Sequence, residues 1–165
     1  MELHAGDHVI HWIYGFGEIL RLEEKNLPGQ ASLYYVVQVK DLTVWVPADE
    51  ELANRLRTPT PKDAFDPLFK ILGSPGQTLS TDRLERRTHL LEELKNASPE
   101  ANCRVIRDLC AHQQKYQLNE HDRLVLNRCR NSLLGEWTYS LSVTLEQAGR
   151  ELDRLLSHLP RGATA

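Results

Sequence analysis

Three histidines near the start of the chain are the first residues whose type could do chemistry. His4, His8 and His11 lie close together in the sequence, and imidazole is a common ligand of zinc. On a strand, however, His8 and His11 point to opposite faces, so a shared site would need a bulge or the terminal segment. The spacing therefore favours ordinary strand residues, and we expect no metal.

The glycine pair Gly15 and Gly17 raises the question of a phosphate-binding loop. Such a loop needs a helix directly after its glycines, because the helix N-terminus supplies the N–H donors. Here the chain continues as Glu18-Ile19-Leu20-Arg21-Leu22-Glu23, a half-alternating pattern typical of a surface strand. The pair therefore predicts a turn or bulge with positive φ in an antiparallel sheet.

The sequence lacks the common catalytic motifs. It contains no nucleophile elbow, HExxH, Walker loop or paired CxxC, and its scattered carboxylates are typical of solvated helix faces. We expect a protein that is not an enzyme. The cysteines Cys103, Cys110 and Cys129 are an odd set within predicted helices, which favours reduced core residues over disulfides.

Arginines form the clearest concentration of charge. Arg83, Arg86 and Arg87 fall in the opening turns of a predicted helix, and Arg83 and Arg87 are four residues apart. A cluster of this kind can hold phosphates without reading bases. Pairing with Glu85, Glu92 or Asp122 at the surface is the alternative. Arg123, Arg128 and Arg130 lie on a later helix that can pack beside the first group.

Trp45 is the most informative aromatic residue. In the segment 42–47, Leu42, Val44 and Val46 share one face, so Trp45 lies on the other with Thr43. If the even positions face the core, Trp45 is exposed and suits an anchor for a protein partner. A loop or the linker helix covering it is the alternative. The edge of so short a sheet is also able to accept a strand from another protein.

Composition indicates a folded protein of 165 residues with a formal charge of −3. The first 61 residues carry five basic and nine acidic side chains, and the remainder is nearly balanced. Neither part has the strong positive charge of an autonomous nucleic-acid binder. No segment has the length and apolarity of a signal peptide or membrane span, so we expect a cytoplasmic location.

Hydrophobic periodicity changes along the chain and predicts an α+β protein of two modules. Strands are predicted at 7–13, 17–24, 32–40 and 42–47, giving a small bent antiparallel β-barrel. Helices are predicted at 63–72, 80–96, 99–115, 120–137 and 145–158, the last four forming an all-α bundle. The predicted N-caps are Ser98, Asn119 with Asp122, and Thr144 with Gln147. The predicted divisions are a β domain at 1–58, a linker with a short helix at 59–79, a helical domain at 80–159 and a flexible tail at 160–165.

Three segments resemble, in order, the blocks of the CarD/CdnL family of bacterial transcription regulators. They are GDHVIHWIYGFGEILRLEE, YYVVQVKDLTVWVPAD and RVIRDLCAHQQKYQLNEHDRLVLNRCRNSLLGE. The resemblance covers about residues 5–137. It implies a Tudor-like, SH3-like barrel that binds the β subunit of RNA polymerase, and a helical domain that contacts promoter DNA upstream of the melted region. Such proteins stabilise the open complex, are not enzymes and need no cofactor.

The resemblance also implies contact residues. Lys25 and Trp45 fall where the family contacts the polymerase, although Trp45 replaces a basic residue. On the DNA side, Leu84 stands near the family's wedge tryptophan, and leucine is able to act as a minor-groove wedge. The implied DNA contacts, to backbone and minor groove without sequence specificity, are Arg83, Leu84, Arg86, Arg87, Arg123, Arg128 and Arg130.

Two interpretations stay open at this point. In the first, a monomer associates with the nucleoid through the polymerase and touches DNA. In the second, the protein is an adaptor that binds the polymerase or a repair factor and has lost DNA contact together with the wedge tryptophan.

Overall fold

The first part of the chain is a five-stranded antiparallel sheet in the order β4-β3-β2-β1-β5. The computed structural model describes residues 2–157 except Asn96. The strands are β1 (His8–His11), β2 (Gly15–Leu27), β3 (Gln30–Val39), β4 (Leu42–Pro47) and β5 (Leu56–Arg57). The predicted fold class is confirmed with one correction. Since β4 and β5 are the two edges, the sheet is open and is not a closed barrel.

The sheet buries one face because its apolar residues alternate. Val37 and Val39 on β3 share a small core with Val46 on β4 and Leu56 on β5. The pairing of β2 with β3 shifts between Ile19 and Arg21, and such a bulge bends the strand.

Gly15 and Gly17 have different roles. Gly15 has a φ of +85°, the positive value predicted for the turn between β1 and β2. Gly17 does not: a Cβ there would lie 2.7 Å from the carbonyl oxygen of Gln38, so glycine allows close approach of β2 to β3. Strand β2, not a helix, continues after them, and the phosphate-loop interpretation is wrong.

The second part of the chain is helical. Its helices are α2 (Phe65–Gly73), α3 (Arg83–Leu94), α4 (Pro99–Gln113), α5 (Glu120–Leu141) and α6 (Leu145–Ser157). The predicted N-caps are confirmed, since Ser98 accepts a hydrogen bond from the backbone of Ala101, and Asn119 and Asp122 form a capping box. Thr144 and Gln147 exchange the same pair of bonds.

Two features differ from the sequence prediction. A short helix α1 (Leu52–Arg55) precedes β5, and the segment 59–79 is more than a connection. After a 3-10 turn at Lys62–Ala64, helix α2 buries Phe65, Leu68 and Leu72 in the bundle core. The predicted tail 160–165 and the predicted helix residues 96 and 158 lie outside the described residues.

The cysteines are free, as predicted. Cys103 and Cys129 are buried and Cys110 is half-buried. Burial raises the pKa of Cys129 to about 12 and the pKa of Cys110 to about 11, and it raises that of Cys103 further. These thiols therefore behave as small apolar side chains.

Candidate functional site

The outer face of the sheet presents Trp45. Residue Val36 pairs with Trp45 on one side and with Arg21 on the other, so these residues share the face that points away from the core. Trp45 is 39% exposed, whereas Val36 beneath it is fully buried. The predicted outward orientation of Trp45 is confirmed, and the alternative in which a loop or helix covers it is not realised.

Charged residues of β2 surround this tryptophan. The ammonium group of Lys25 lies 4.7 Å from the Trp45 ring and 5.5 Å from the Tyr34 ring. The indole N–H of Trp45 donates to Glu23 at 3.4 Å, and Glu23 also pairs with Arg21 at 2.9 Å. We call this set the outer sheet face: Arg21, Glu23, Lys25, Tyr34 and Trp45. It lies directly beside β4, an edge strand of the sheet.

A second exposed group lies where α3 and α5 begin. Arg83, Leu84 and Arg87 line a cavity of about 320 Å³ together with Asn119, Glu120 and His121 of the α5 start. Leu84 is 74% exposed. We call this group of six residues the α3–α5 pocket.

Arg86 lies inside the bundle, not at the pocket. It is 4% exposed. Its Nε and Nη2 atoms donate to the carboxylate of Asp122 at 2.9–3.2 Å, and Nη1 donates to the carbonyl of Ser80 at 2.9 Å. Because Arg86, Leu90 and Leu94 are the buried residues of α3, the period of the helix directs Arg86 inwards. The expectation that Arg86 belongs to a basic surface is therefore corrected.

The partner of Arg86 also starts α5. Asp122 accepts the backbone N–H of Asn119 in the capping box while it holds Arg86. Burial raises the pKa of Asp122, but the hydrogen bonds from Arg86 and Asn119 outweigh that effect and leave the pKa below its ordinary value. This interior pair fixes the N-termini of α3 and α5 against each other, which positions the α3–α5 pocket.

The three arginines of α5 do not form one cluster. Arg123 donates to the carbonyl of Leu118 at 2.7 Å, and Arg130 donates to Asp153 of α6 at 2.7 Å. These two are seven residues apart and share one edge of α5. Arg128 is seven residues from His121, so it shares the edge that faces the pocket.

His121 is a pocket residue that the sequence did not single out. Burial lowers its pKa, and the charges of Arg87 and Arg128 lower it further against the opposing effect of Asp122, so the imidazole is neutral at neutral pH. Its Nδ1 atom is buried without a hydrogen-bond partner. The only sequence signal was its place in the first turn of α5, directly after the cap.

The histidines near the start of the chain have structural contacts. His11 is buried, its Nδ1 accepts the backbone N–H groups of Ile13 and Tyr14 at 3.1 Å, and burial lowers its pKa to about 4. His8 packs against Tyr139 with ring centroids 4.5 Å apart. Across residues 2–95 and 97–157, no three His, Cys, Asp or Glu side chains are grouped as metal ligands.

Comparison with known families places this architecture. Residues 3–57 match the model of the CarD-like/TRCF RID domain, and residues 67–153, more than half of the chain, match that of the CarD C-terminal domain. The chain belongs to the CarD family. This confirms the resemblance stated from the sequence. The family consists of transcription regulators linked to RNA polymerase, and its members are typically not enzymes.

One relative aligns along most of the chain. The Bacillus subtilis (strain 168) protein named "Putative transcription factor YdeB" is 24% identical over 148 residues, which is 86% of this chain and 94% of that protein. Within the part of the chain that the structure describes, no helix has the length and apolar character needed to cross a membrane.

Proposed function

We propose that this CarD-family protein binds the β subunit of RNA polymerase through the outer sheet face and stabilises the promoter open complex through the α3–α5 pocket. The proposal rests on the different orientations of neighbouring residues on α3. Arg86 is used inside the bundle, whereas Leu84 stands exposed beside Arg83 and Arg87. The helix thus presents an exposed apolar side chain next to two arginines.

The outer sheet face has the properties of a protein contact. A partly exposed tryptophan stacked with a lysine offers a large apolar area whose rim is charged, which is the usual form of an interface hot spot. The adjacent edge strand β4 adds backbone groups that a partner strand is able to pair with. Arg21, Glu23 and Lys25 then adjust the orientation of the partner.

The α3–α5 pocket has the properties of a backbone contact to DNA. Arg83 and Arg87 suit two phosphates and Arg128 a third. Glu120 is the one acidic residue that lines the pocket, and the neutral His121 adds no charge. Leu84 fits the minor groove at the upstream edge of the bubble, where a wedge keeps base pairs from re-forming. Arg123 and Arg130 remain candidates for contacts at the opposite edge of α5.

Tethering reconciles this role with the modest charge. A nearly neutral bundle binds free DNA weakly, but attachment to the polymerase raises the local concentration of the promoter, so a few phosphate contacts suffice. The proposal therefore predicts measurable DNA effects on the polymerase–promoter complex and weak binding to isolated duplex.

The polymerase contact is tested by titrating a β-subunit lobe fragment against Trp45→Ala. We expect a loss of about 2 kcal/mol, roughly thirtyfold in affinity, as for a hot-spot tryptophan. Trp12→Ala is the matched control, because Trp12 is exposed to a similar degree, 41%, and faces α3 instead. Equal affinity of Trp45→Ala and wild type would remove the outer sheet face from the interface.

The DNA contact is tested by the lifetime of the open complex after competitor challenge. Wild type should lengthen this lifetime, and Arg83→Ala/Arg87→Ala should shorten it while affinity for the β lobe is unchanged. Arg150→Ala on α6 controls for the loss of a surface arginine. If both proteins bind the β lobe but neither changes the lifetime of the open complex, the adaptor interpretation is favoured.

A further inference from the structure

One face of α5 packs against the sheet. Ser132, Gly135, Glu136 and Tyr139 follow the spacing i, i+3, i+4 and i+7, so they share a face of the helix. Ser132 lies against Gly15, where a Cβ would come within 3.1 Å of the serine backbone, and Gly135 lies against Phe16. The ring of Tyr139 packs on Phe16 at 4.9 Å and on His8 at 4.5 Å.

The polar member of this face is a buried ion pair. Glu136 is 0% exposed. Its two carboxylate oxygens accept hydrogen bonds from Nη1 and Nη2 of Arg57 at 2.6 and 2.8 Å, and Oε1 also accepts the backbone N–H of Thr60 at 2.6 Å. Arg57 belongs to β5, so the pair joins the sheet to the bundle.

Arg57 has a further contact that ties in a third segment. Its Nε atom donates to the carbonyl of Ala97 at 2.6 Å. Ala97 lies between α3 and α4 and has a φ of +49°. One guanidinium group therefore links the edge strand of the sheet to the turn that follows α3 and to the middle of α5.

The physical chemistry of this pair points to orientation more than to stability. Desolvation of two charges largely cancels their attraction, so a well-packed apolar pair often gives equal stability. Apolar and ring contacts tolerate sliding, whereas the planar guanidinium fork bonds a carboxylate in one geometry. Along this interface, the directional bonds belong to Arg57 and Glu136, and the ring contacts of Tyr139 add area.

We infer that the Arg57–Glu136 pair is the joint that holds the two halves of the molecule at one angle, and that open-complex stabilisation depends on this joint. The second clause rests on the function proposed above. The outer sheet face and the α3–α5 pocket lie on different halves, so both contacts form together only if the angle is fixed. Glu136 and Arg57 are positioning residues and touch neither partner.

Two variants separate orientation from folding. Arg57→Met/Glu136→Met replaces both charges by apolar side chains, which is expected to preserve the folded state. Glu136→Gln keeps an oxygen for the backbone of Thr60 and removes the charge. The control is Arg104→Met/Glu93→Met, which removes a partly exposed ion pair between α4 and α3 of the bundle.

The angle is measured by the distance between spin labels at Asp41→Cys and Lys115→Cys, both exposed positions, in a Cys110→Ser background. The remaining thiols of Cys103 and Cys129 are buried. Wild type and the control variant should give one narrow distance distribution, and Arg57→Met/Glu136→Met a broad or displaced one, with Glu136→Gln in between. If the double variant gives a distribution as narrow as that of wild type, Arg57 and Glu136 do not fix the angle.

Whether open-complex stabilisation depends on this joint is tested by the open-complex lifetime at saturating protein. The double variant should keep wild-type affinity for the β lobe and lose the lengthening of lifetime, whereas the control keeps both. If the double variant has a broadened distance distribution but a wild-type lifetime, open-complex stabilisation does not depend on a fixed angle, and this part of the inference is wrong. If wild type itself has no effect on lifetime, the proposed function fails, and the label distances still decide whether Arg57 and Glu136 form the joint.

Discussion

The outer sheet face and the α3–α5 pocket are built in opposite ways. On the sheet, Lys25 and Glu23 both contact Trp45 at the surface, and Trp45 covers Val36. At the pocket, the exposed Arg83 and Arg87 are positioned by an arginine inside, because Arg86 and Asp122 fix the two helix starts. The first surface is stabilised by its own members, and the second depends on an interior ion pair.

This difference shows that residue type alone does not identify a contact residue on a helix. Arg86 and Arg87 are neighbours in the chain, yet one is buried and the other exposed. Removing an interior arginine should damage the pocket through the fold, whereas removing a surface one should act on the partner alone.

The largest expected effect is therefore that of Arg86→Ala. It leaves Asp122 buried without its partner, which should cost about 3–5 kcal/mol in the free energy of unfolding. Arg87→Ala should stay within about 0.5 kcal/mol of wild type. Urea unfolding followed by circular dichroism measures both. Equal stability of the two variants would break the distinction between interior and surface arginines.

A buried histidine of the sheet and a buried carboxylate of the bundle should also respond to different ranges of pH. His11 in the sheet has a folded pKa of about 4, below its ordinary value of 6.5, so the unfolded chain binds a proton first as the pH falls. Stability is then complete above pH 6.5 and falls by about 3 kcal/mol as the pH drops to 4. Asp122 in the bundle, with its lowered pKa, adds a loss that begins only near its ordinary value of 3.8.

The matched variant for this prediction is His11→Asn. The amide oxygen of asparagine takes the place of Nδ1 as acceptor for Ile13 and Tyr14 and does not titrate. Urea unfolding at pH 7, 5.5 and 4.5 should show a shallower decline for His11→Asn than for wild type. Parallel declines would assign the pH dependence to residues other than His11.

The parts of the fold that repeat a short pattern were predictable. Alternation in the segment 42–47 gave the outward face of Trp45 because a strand has a period of two and its neighbours were clearly apolar. The caps at Ser98, Asn119 and Thr144 followed from local side-chain chemistry. Each of these features is decided within a few residues of the chain.

The features that were missed depend on contacts between distant segments. The sequence did contain the spacing of Arg86 with Leu90 and Leu94, which gives the inner face of α3, but a charged residue is placed inside only if a partner such as Asp122 is known. The short helix α1 has too few residues for a periodic signal. Burial of Phe65 is decided by packing of α2 on the bundle, where its ring contacts that of Trp137 on α5, and no local pattern shows this contact.

Leu84 is the apolar part of the proposed DNA contact. Leu84→Ala removes the exposed side chain without touching the Arg86–Asp122 pair, so the free energy of unfolding should be unchanged. The barrier to collapse of the open complex should fall by up to about 2 kcal/mol, which shortens its lifetime by roughly thirtyfold. Leu84→Trp should lengthen the lifetime, because an indole offers more stacking surface. Leu145→Ala is the control, because Leu145 is an exposed leucine at the start of α6. An equal decrease in the lifetime for Leu145→Ala would show that Leu84 is not the wedge.

The smallest expected effect is that of Lys25→Gln at the outer sheet face. The lysine lies over the Trp45 and Tyr34 rings in a partly exposed setting, where a cation–π contact is worth about 0.5–1 kcal/mol. If Lys25 only orders Trp45, Lys25→Gln in a Trp45→Ala background should add nothing further to the loss of β-lobe affinity. If Lys25 also contacts the polymerase, the two losses add and the salt dependence of binding falls. Calorimetric titration of the β lobe with the two single variants and the double variant decides between these cases, because coupling is expected only between residues that act through each other.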